Sequence, residues 1–251
     1  LFFNKVFYKH NVGDLMAARV AQYQELHIKS SRQEMLHRYD LPDSEFLLLF
    51  MGSRPIHFEV FAPLCLDMLQ QLLGKHPSMQ VIVGVAESIS NEMLAVACRH
   101  FSHERVFFRR GNTLDFMAVS RCMVSLPGTN TAEAMYMGLP MLTVAPLNWP
   151  ERAILDGLAG LIEHIPIIGM GLKRVLVKRF AKRVGYISLP NRIANAAVSP
   201  QQIQYLEPEQ LAADIGDLYA DEQRLKAIKE RLLRLNDDKR VDVKMMEAVL
   251  G

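Results

Sequence analysis

The sequence predicts an α/β protein: a doubly wound, Rossmann-like parallel sheet with a helical carboxyl-terminal extension. Three observations point there. Phe46–Met51 is apolar at every position, as a strand covered on both faces requires. From residue 46 to residue 146 apolar runs alternate with helical patterns, and the crossovers are long enough to force parallel strands. Two glycine loops, Gly52-Ser53-Arg54 and Gly128-Thr129-Asn130-Thr131, each follow such a strand directly, where doubly wound sheets bind ligands.

Taken in order, Leu1–Tyr8 reads as a strand, Asn11–Asp14 as a turn and Leu15–Tyr23 as a short helix. Ser30–Tyr39 is a charged helix that Ser30 or Ser31 caps. After the strand at 46–51, Pro55–Phe58 extends the loop and Glu59–Leu73 is a helix. Met79–Val85, Arg105–Phe108, Cys122–Leu126 and Met141–Ala145 are the next strands. Asn91–His100, Leu114–Ser120 and Ala132–Met137 are the helices between them. Gly111-Asn112-Thr113 caps the second, and Gly138 and Pro140 stop the third. Ile187–Pro190 reads as extended. Val198-Ser199-Pro200 opens a helix through Gln204. Pro208–Leu218, Asp221–Asn236 and Asp242–Leu250 are three further helices, and Gln223–Leu235, charged all round except its leucines, reads as solvent-facing. The organisation expected is an opening segment over 1–40, a ligand-binding domain over 41–206 and carboxyl-terminal helices over 207–251.

Composition narrows the function classes. Half of the 251 residues are hydrophobic, so a sizeable core forms and global disorder is excluded. The net charge of +2 carries no nucleic-acid signature, and no DNA- or RNA-binding motif is present. The three cysteines, Cys65, Cys98 and Cys122, are far apart in apolar surroundings and read as reduced thiols of a cytoplasmic protein. The eight histidines show no paired metal-ligand spacing, so no metal is expected. No uncharged apolar run is long enough to span a bilayer. The first residue is Leu, so the chain is expected to be part of a longer protein.

The chemistry concentrates in the two loops. The first backbone N–H groups of the helix after Gly128 lack internal partners, and the helix dipole adds positive charge there, so a phosphate fits. Glu133, early in that helix, could accept two hydrogen bonds from a ribose diol. Gly52-Ser53 lets the backbone approach a ligand closely, and Arg54 could grip a phosphate with two N–H groups. The plain alternatives stay open: an ordinary crossover in which Gly128 only turns the chain and Glu133 only favours the helix start, and a surface arginine beside a tight turn. Residues 158–184 combine aliphatic positions with Lys173, Arg174, Lys178, Arg179, Lys182 and Arg183. That pattern suits either a basic face resting on anionic lipid or the solvated side of a packed helix.

Four segments, taken together and in order, resemble the lipid-A-disaccharide synthase family, inverting glycosyltransferases of the GT-B type. They are Gly52-Ser53-Arg54, Gly128–Glu133 with Gly138–Met141, Ser188-Leu189-Pro190-Asn191, and Ser199-Pro200-Gln201 with Gln204. Val12-Gly13 is similar to the family's link between its two lobes. Pro127, Asn130 and Gln201 stand where the family has serine, alanine and glutamate, and Met51 stands where proline is common. Residues 147–169 look like an insertion.

The resemblance implies a donor-binding lobe of an enzyme that joins a UDP-linked diacylglucosamine to an acylated glucosamine 1-phosphate and releases UDP. On that footing Gly52, Ser53 and Arg54 hold the pyrophosphate. Gly128, Thr129, Asn130 and Thr131 cradle phosphates and nucleoside, Glu133 takes the ribose hydroxyls, and Asn191 and Gln204 line the donor site. The catalytic base would belong to an amino-terminal lobe. No metal or other cofactor is implied, the UDP-sugar being a substrate. The partners implied are that donor and a lipid-linked acceptor, with peripheral contact at the inner membrane face through 158–184. Two other readings are an enzyme similar to UDP-N-acetylglucosamine 2-epimerase and a degenerate, non-catalytic scaffold module.

Overall fold

The computed structural model describes residues 15–26, 31–148 and 185–237. The expected strand at 1–8, the Val12-Gly13 link, the basic stretch 158–184 and a helix at 242–250 all lie outside those residues.

Helices α1 (Leu15–Leu26) and α2 (Arg32–Arg38) precede the sheet. A capping box closes the start of α2: Ser31 Oγ accepts from the Glu34 N–H, and the Glu34 carboxylate accepts from the Ser31 N–H. Then follow β1 (Phe46–Phe50), α3 (Pro55–Lys75), β2 (Gln80–Gly84), α4 (Asn91–Ala97), β3 (Val106–Arg109), α5 (Thr113–Val119), β4 (Ser120–Ser125), α6 (Thr129–Met137) and β5 (Met141–Pro146). After residue 185 come α7 (Leu189–Ala194), β6 (Gln201–Gln204), α8 (Pro208–Ala220) and α9 (Glu222–Asp237).

The six strands form one sheet in the order β3-β2-β1-β4-β5-β6, every neighbouring pair parallel. This is the doubly wound order, and its switch point lies between β1 and β4, where the chain reverses its direction of travel across the sheet. Phe46, Leu47, Leu48 and Leu49 are wholly buried because both faces of β1 are covered. The fold class read from the sequence is the one observed.

Four local readings change. Helix α3 begins at Pro55 rather than Glu59, because proline at the first helical position needs no N–H partner and brings a preset φ. The same effect makes Leu189–Ala194 a helix, with Pro190 in its first turn, where the sequence suggests an extended segment. Residues 201–204, expected in a helix, are the edge strand β6. They pair with Thr143–Pro146, and sheet pairing overrides the modest helix preference of glutamine. Helix α9 is not solvent-facing all round: Leu225, Ile228 and Leu232 are buried against the body while its charges face water.

Helices α5 and α6 pack together on one face, with α1 against α6, while α8 packs on α3. Val20 and Tyr23 of α1, Leu211 and Ile215 of α8 and Leu225 of α9 join the same buried cluster as the strands. The described residues of the opening and closing segments are therefore built into the core of the sheet domain.

Candidate functional site at the switch point

The carboxyl ends of β1 and β4 bring the two glycine loops together. Gly52 has φ +102, in the region that favours glycine, and a side chain there would meet His57 Cβ at 3.1 Å and the Leu126 side chain at 3.3 Å. The turn after β1 thus lies against the segment leaving β4. Ser53 is exposed, and its carbonyl accepts a hydrogen bond from the Ser88 hydroxyl, which ties the loop after β2 to the same corner. Arg54 is exposed at the amino-terminal boundary of α3, in extended backbone, and its carbonyl accepts from the His57 and Phe58 N–H groups at 3.0 Å.

On the β4 side Gly128 caps α6. A side chain built on Gly128 would meet none of the described residues within 4 Å, so their core packing does not surround this glycine. Gly128 and Thr129 are exposed and Asn130 is half-buried. Thr131 is buried and serves the fold: its hydroxyl donates to the Gly128 carbonyl at 2.7 Å and accepts from the Leu189 N–H at 3.3 Å. That contact pins the start of α7 to the first turn of α6.

Glu133 is 2 % exposed and has two partners. Its Oε2 accepts from the Thr113 hydroxyl at 3.0 Å, and its Oε1 accepts from Arg19 Nη1 at 2.5 Å. Thr113 begins α5 and Arg19 projects from α1, so three elements converge on this carboxylate. Four residues after Arg19, on the same side of α1, Tyr23 donates to Asp115 Oδ1 at 2.7 Å. Asp115, 1 % exposed, also accepts from Tyr39 at 2.7 Å and from Arg38 at 3.0 Å. Burial and then the neighbouring Asp115 push both the Tyr23 and Tyr39 hydroxyl pKa values above the ordinary tyrosine range.

The other two expected site residues come from the segments after residue 185. Asn191 is completely buried. Its Oδ1 accepts from the Val198 and Ser199 N–H groups, both at 2.9 Å, and its Nδ2 donates to the Ser199 carbonyl and to Gln201 Oε1. It shapes the turn between α7 and β6. Gln201 completes that turn by accepting from the Ile187 N–H and donating to the Gly185 carbonyl, a hydrogen-bonding task that an amide performs without charge. Gln204 is exposed at the carboxyl end of β6, two strands and so about 10 Å from β4. The structure sets the two glycine loops at the ends of neighbouring strands, packs the helix that carries Asn191 on α6, and puts Gln204 two strands from β4.

Thr113 and Arg19 went unread in the sequence. Thr113 had a signal, since it follows the carboxyl end of β3 just as Arg54 follows β1. Arg19 had none: 114 residues separate it from Glu133. A second concavity, of about 510 Å³, lies at the opposite end of the sheet between Met117, Arg121, Met137, Leu139, Leu225 and Lys229. Arg121 there is held by Glu45 and by the Tyr219 carbonyl. None of the residues read as functional reaches that groove. Among the described residues no helix is long and apolar enough to cross a membrane.

Strand order and paired glycine loops define a Rossmann-like α/β lobe, a class in which ligands bind outside the carboxyl ends of the strands at the switch point, here between β1 and β4. The lipid-A-disaccharide synthetase family model matches residues 2–149, more than half of the chain, and so spans both loops. The chain belongs to that family. Lipid-A-disaccharide synthase of Anaeromyxobacter dehalogenans (strain 2CP-C) is 26% identical over 205 residues, covering 80% of this chain and 47% of that protein. The Geobacter metallireducens enzyme of the same name is 27% identical over 231 residues, covering 90% of this chain and 52% of its own. The chain thus spans about half the length of the curated relatives it matches. The solved structure of the wall teichoic acid polymerase TagF has the same fold, with a TM-score of 0.51 at 11% identity over 96% of this chain and 48% of that one.

Proposed function

We propose that the chain is the donor-binding lobe of a UDP-sugar-dependent glycosyltransferase acting on a lipid-linked acceptor, in the manner of lipid-A-disaccharide synthase. The observation that carries this reading is that Gly52–Arg54 and Gly128–Glu133 follow the carboxyl ends of the neighbouring strands β1 and β4, within the stretch that the family model matches. A diphosphate has a cationic fork in Arg54 and a helix start at Gly128–Thr129, and a ribose has the carboxylate of Glu133.

The chemistry asked of this lobe is leaving-group stabilisation. The acceptor hydroxyl attacks the anomeric carbon, the bond from that carbon to the diphosphate oxygen breaks, and negative charge grows on the departing UDP. A guanidinium and a helix amino terminus aimed at that charge stabilise it more in the transition state than in the ground state. Deprotonation of the acceptor falls to the half of the relatives' length that this chain does not span. The aliphatic and basic pattern of residues 158–184 supports contact with the membrane that holds such an acceptor.

Calorimetric titration of the chain with UDP tests this reading. Binding in the micromolar-to-millimolar range that Arg54→Ala weakens about tenfold or more, on the scale of a lost charge-assisted contact, is the expected result. A folded chain with no affinity for UDP, or an Arg54→Ala protein that binds as the parent does, overturns it.

A further inference from the structure

Glu133 is the carboxylate assigned above to the ribose, and in this structure the chain's own Arg19 bonds to it. We propose that Arg19 is an internal competitor for the donor: its guanidinium covers the nucleoside-accepting oxygen of Glu133 and must swing away when a nucleoside diphosphate binds. The inference rests on the donor-site reading and adds a residue and a movement to it.

The accessibility of the two partners carries the argument. The Glu133 side chain is 3% exposed and the Arg19 side chain 53% exposed, so arginine is the outer layer and glutamate the inner one. From beneath, Thr113 holds Oε2 with a hydroxyl that belongs to the first turn of α5. Oε1 is the oxygen that faces Arg19. A diol therefore reaches the carboxylate by the path that Arg19 fills. The exchange is electrostatically feasible because a half-exposed guanidinium that leaves its partner is rehydrated, and a partly exposed ion pair is worth little. Glu133 in turn exchanges one set of N–H donors for two hydroxyl donors and is not left unpaired.

Helix α1 is built to survive the release. Tyr23, one turn further along, keeps its bond to the buried Asp115 whatever Arg19 does. Losing the Arg19 contact removes one tether of α1, while Val20, buried in the core, and Tyr23 keep the helix docked. Arg19 is thus a positioning residue whose attachment reports whether the donor site is filled, and α1 is the element that carries the report toward the preceding chain.

The test compares the full chain with Arg19→Gln, which keeps a polar stem, Arg19→Ala and Arg54→Ala. UDP affinity is measured by calorimetry, hydrogen exchange along α1 with and without UDP, and folding by urea titration. Both Arg19 variants are expected to fold and to bind UDP about fivefold more tightly, the scale of one partly exposed ion pair. UDP is expected to speed exchange over residues 15–19 of the parent chain, the turn before the buried Val20, against the usual protection by a ligand, and to have no such effect in Arg19→Gln. If the parent binds UDP and Arg54→Ala does not, while both Arg19 variants bind equally or more weakly than the parent, Arg19 is no competitor and the donor reading stands. If neither the parent nor the Arg19 variants bind, both ideas fall together.

Discussion

Two buried carboxylates, Asp115 and Glu133, look alike by burial and differ in what surrounds them. Asp115 has three partners from two points of the fold, Tyr23 on α1 and the adjacent Arg38 and Tyr39 at the end of α2, and one of the two tyrosines that grip it is itself buried. Glu133 has two, Thr113 and the half-exposed Arg19; Arg38 on Asp115 is about as exposed, but there two tyrosines hold the carboxylate as well. Asp115 lies among α1, α2 and α5, whereas Glu133 lies one turn into the helix that Gly128 begins. The lesson is that the mobility of a carboxylate's cover, and the path to it, separate a staple from a binding group. A buried position alone does not.

The comparison breaks most easily at Asp115. Asp115→Asn removes two charge-assisted tyrosine contacts, and a loss of about 3 kcal/mol in urea-unfolding stability is expected, with UDP affinity changed less than twofold in the protein that remains folded. A larger effect on affinity than on stability would make Asp115 part of the site. Glu133→Gln should do the reverse. UDP binding is expected to fall about tenfold in a calorimetric titration, while stability falls by about 1 kcal/mol, because an amide still serves Thr113. Equal losses of both would place Glu133 with Asp115 as a structural group.

Alkaline pH sharpens the contrast. The tyrosines against Asp115 have pKa values raised above 10 in the folded state, and burial pushes that of Tyr219 up to about 12. The folded chain therefore holds these protons more tightly than the unfolded chain does. Stability from this source is fully present below the unfolded value near 10 and is lost as pH rises through the folded values. Unfolding midpoints in urea should be flat to pH 9 and fall between pH 10 and 12, and absorbance at 295 nm should show delayed phenolate formation. The smallest effect concerns the thiols. Cys65 and Cys122 are buried with raised pKa values, Cys122 to about 12, while Cys98 is half-buried. A thiol reagent at pH 8 should label Cys98 first, and the other two only at the rate of unfolding.

Much of this fold was legible because a parallel sheet writes itself in uninterrupted apolar runs such as Phe46–Phe50 and Val81–Val83. Edge strand β6 was not, since Gln201–Gln204 has no apolar run and owes its conformation to β5 alone. The two loops of the site were legible because each is a local motif at a strand end. The partner of Glu133 was not, because a contact across 114 residues leaves no trace in either segment. Asn191 shows the converse: a motif residue singled out for a ligand spends its side-chain hydrogen bonds on a turn, as its contacts with Val198, Ser199 and Gln201 show.

Hydrogen exchange of the full chain at saturating UDP tests the central claim most directly, because it locates the ligand without assuming a residue. The account predicts slowed exchange at residues 52–58 and 126–133, the two loops flanking the switch point, with no change across 117–121 and 222–229 at the opposite end of the sheet. Protection confined to that opposite groove, or binding that leaves both glycine loops unprotected, would contradict it.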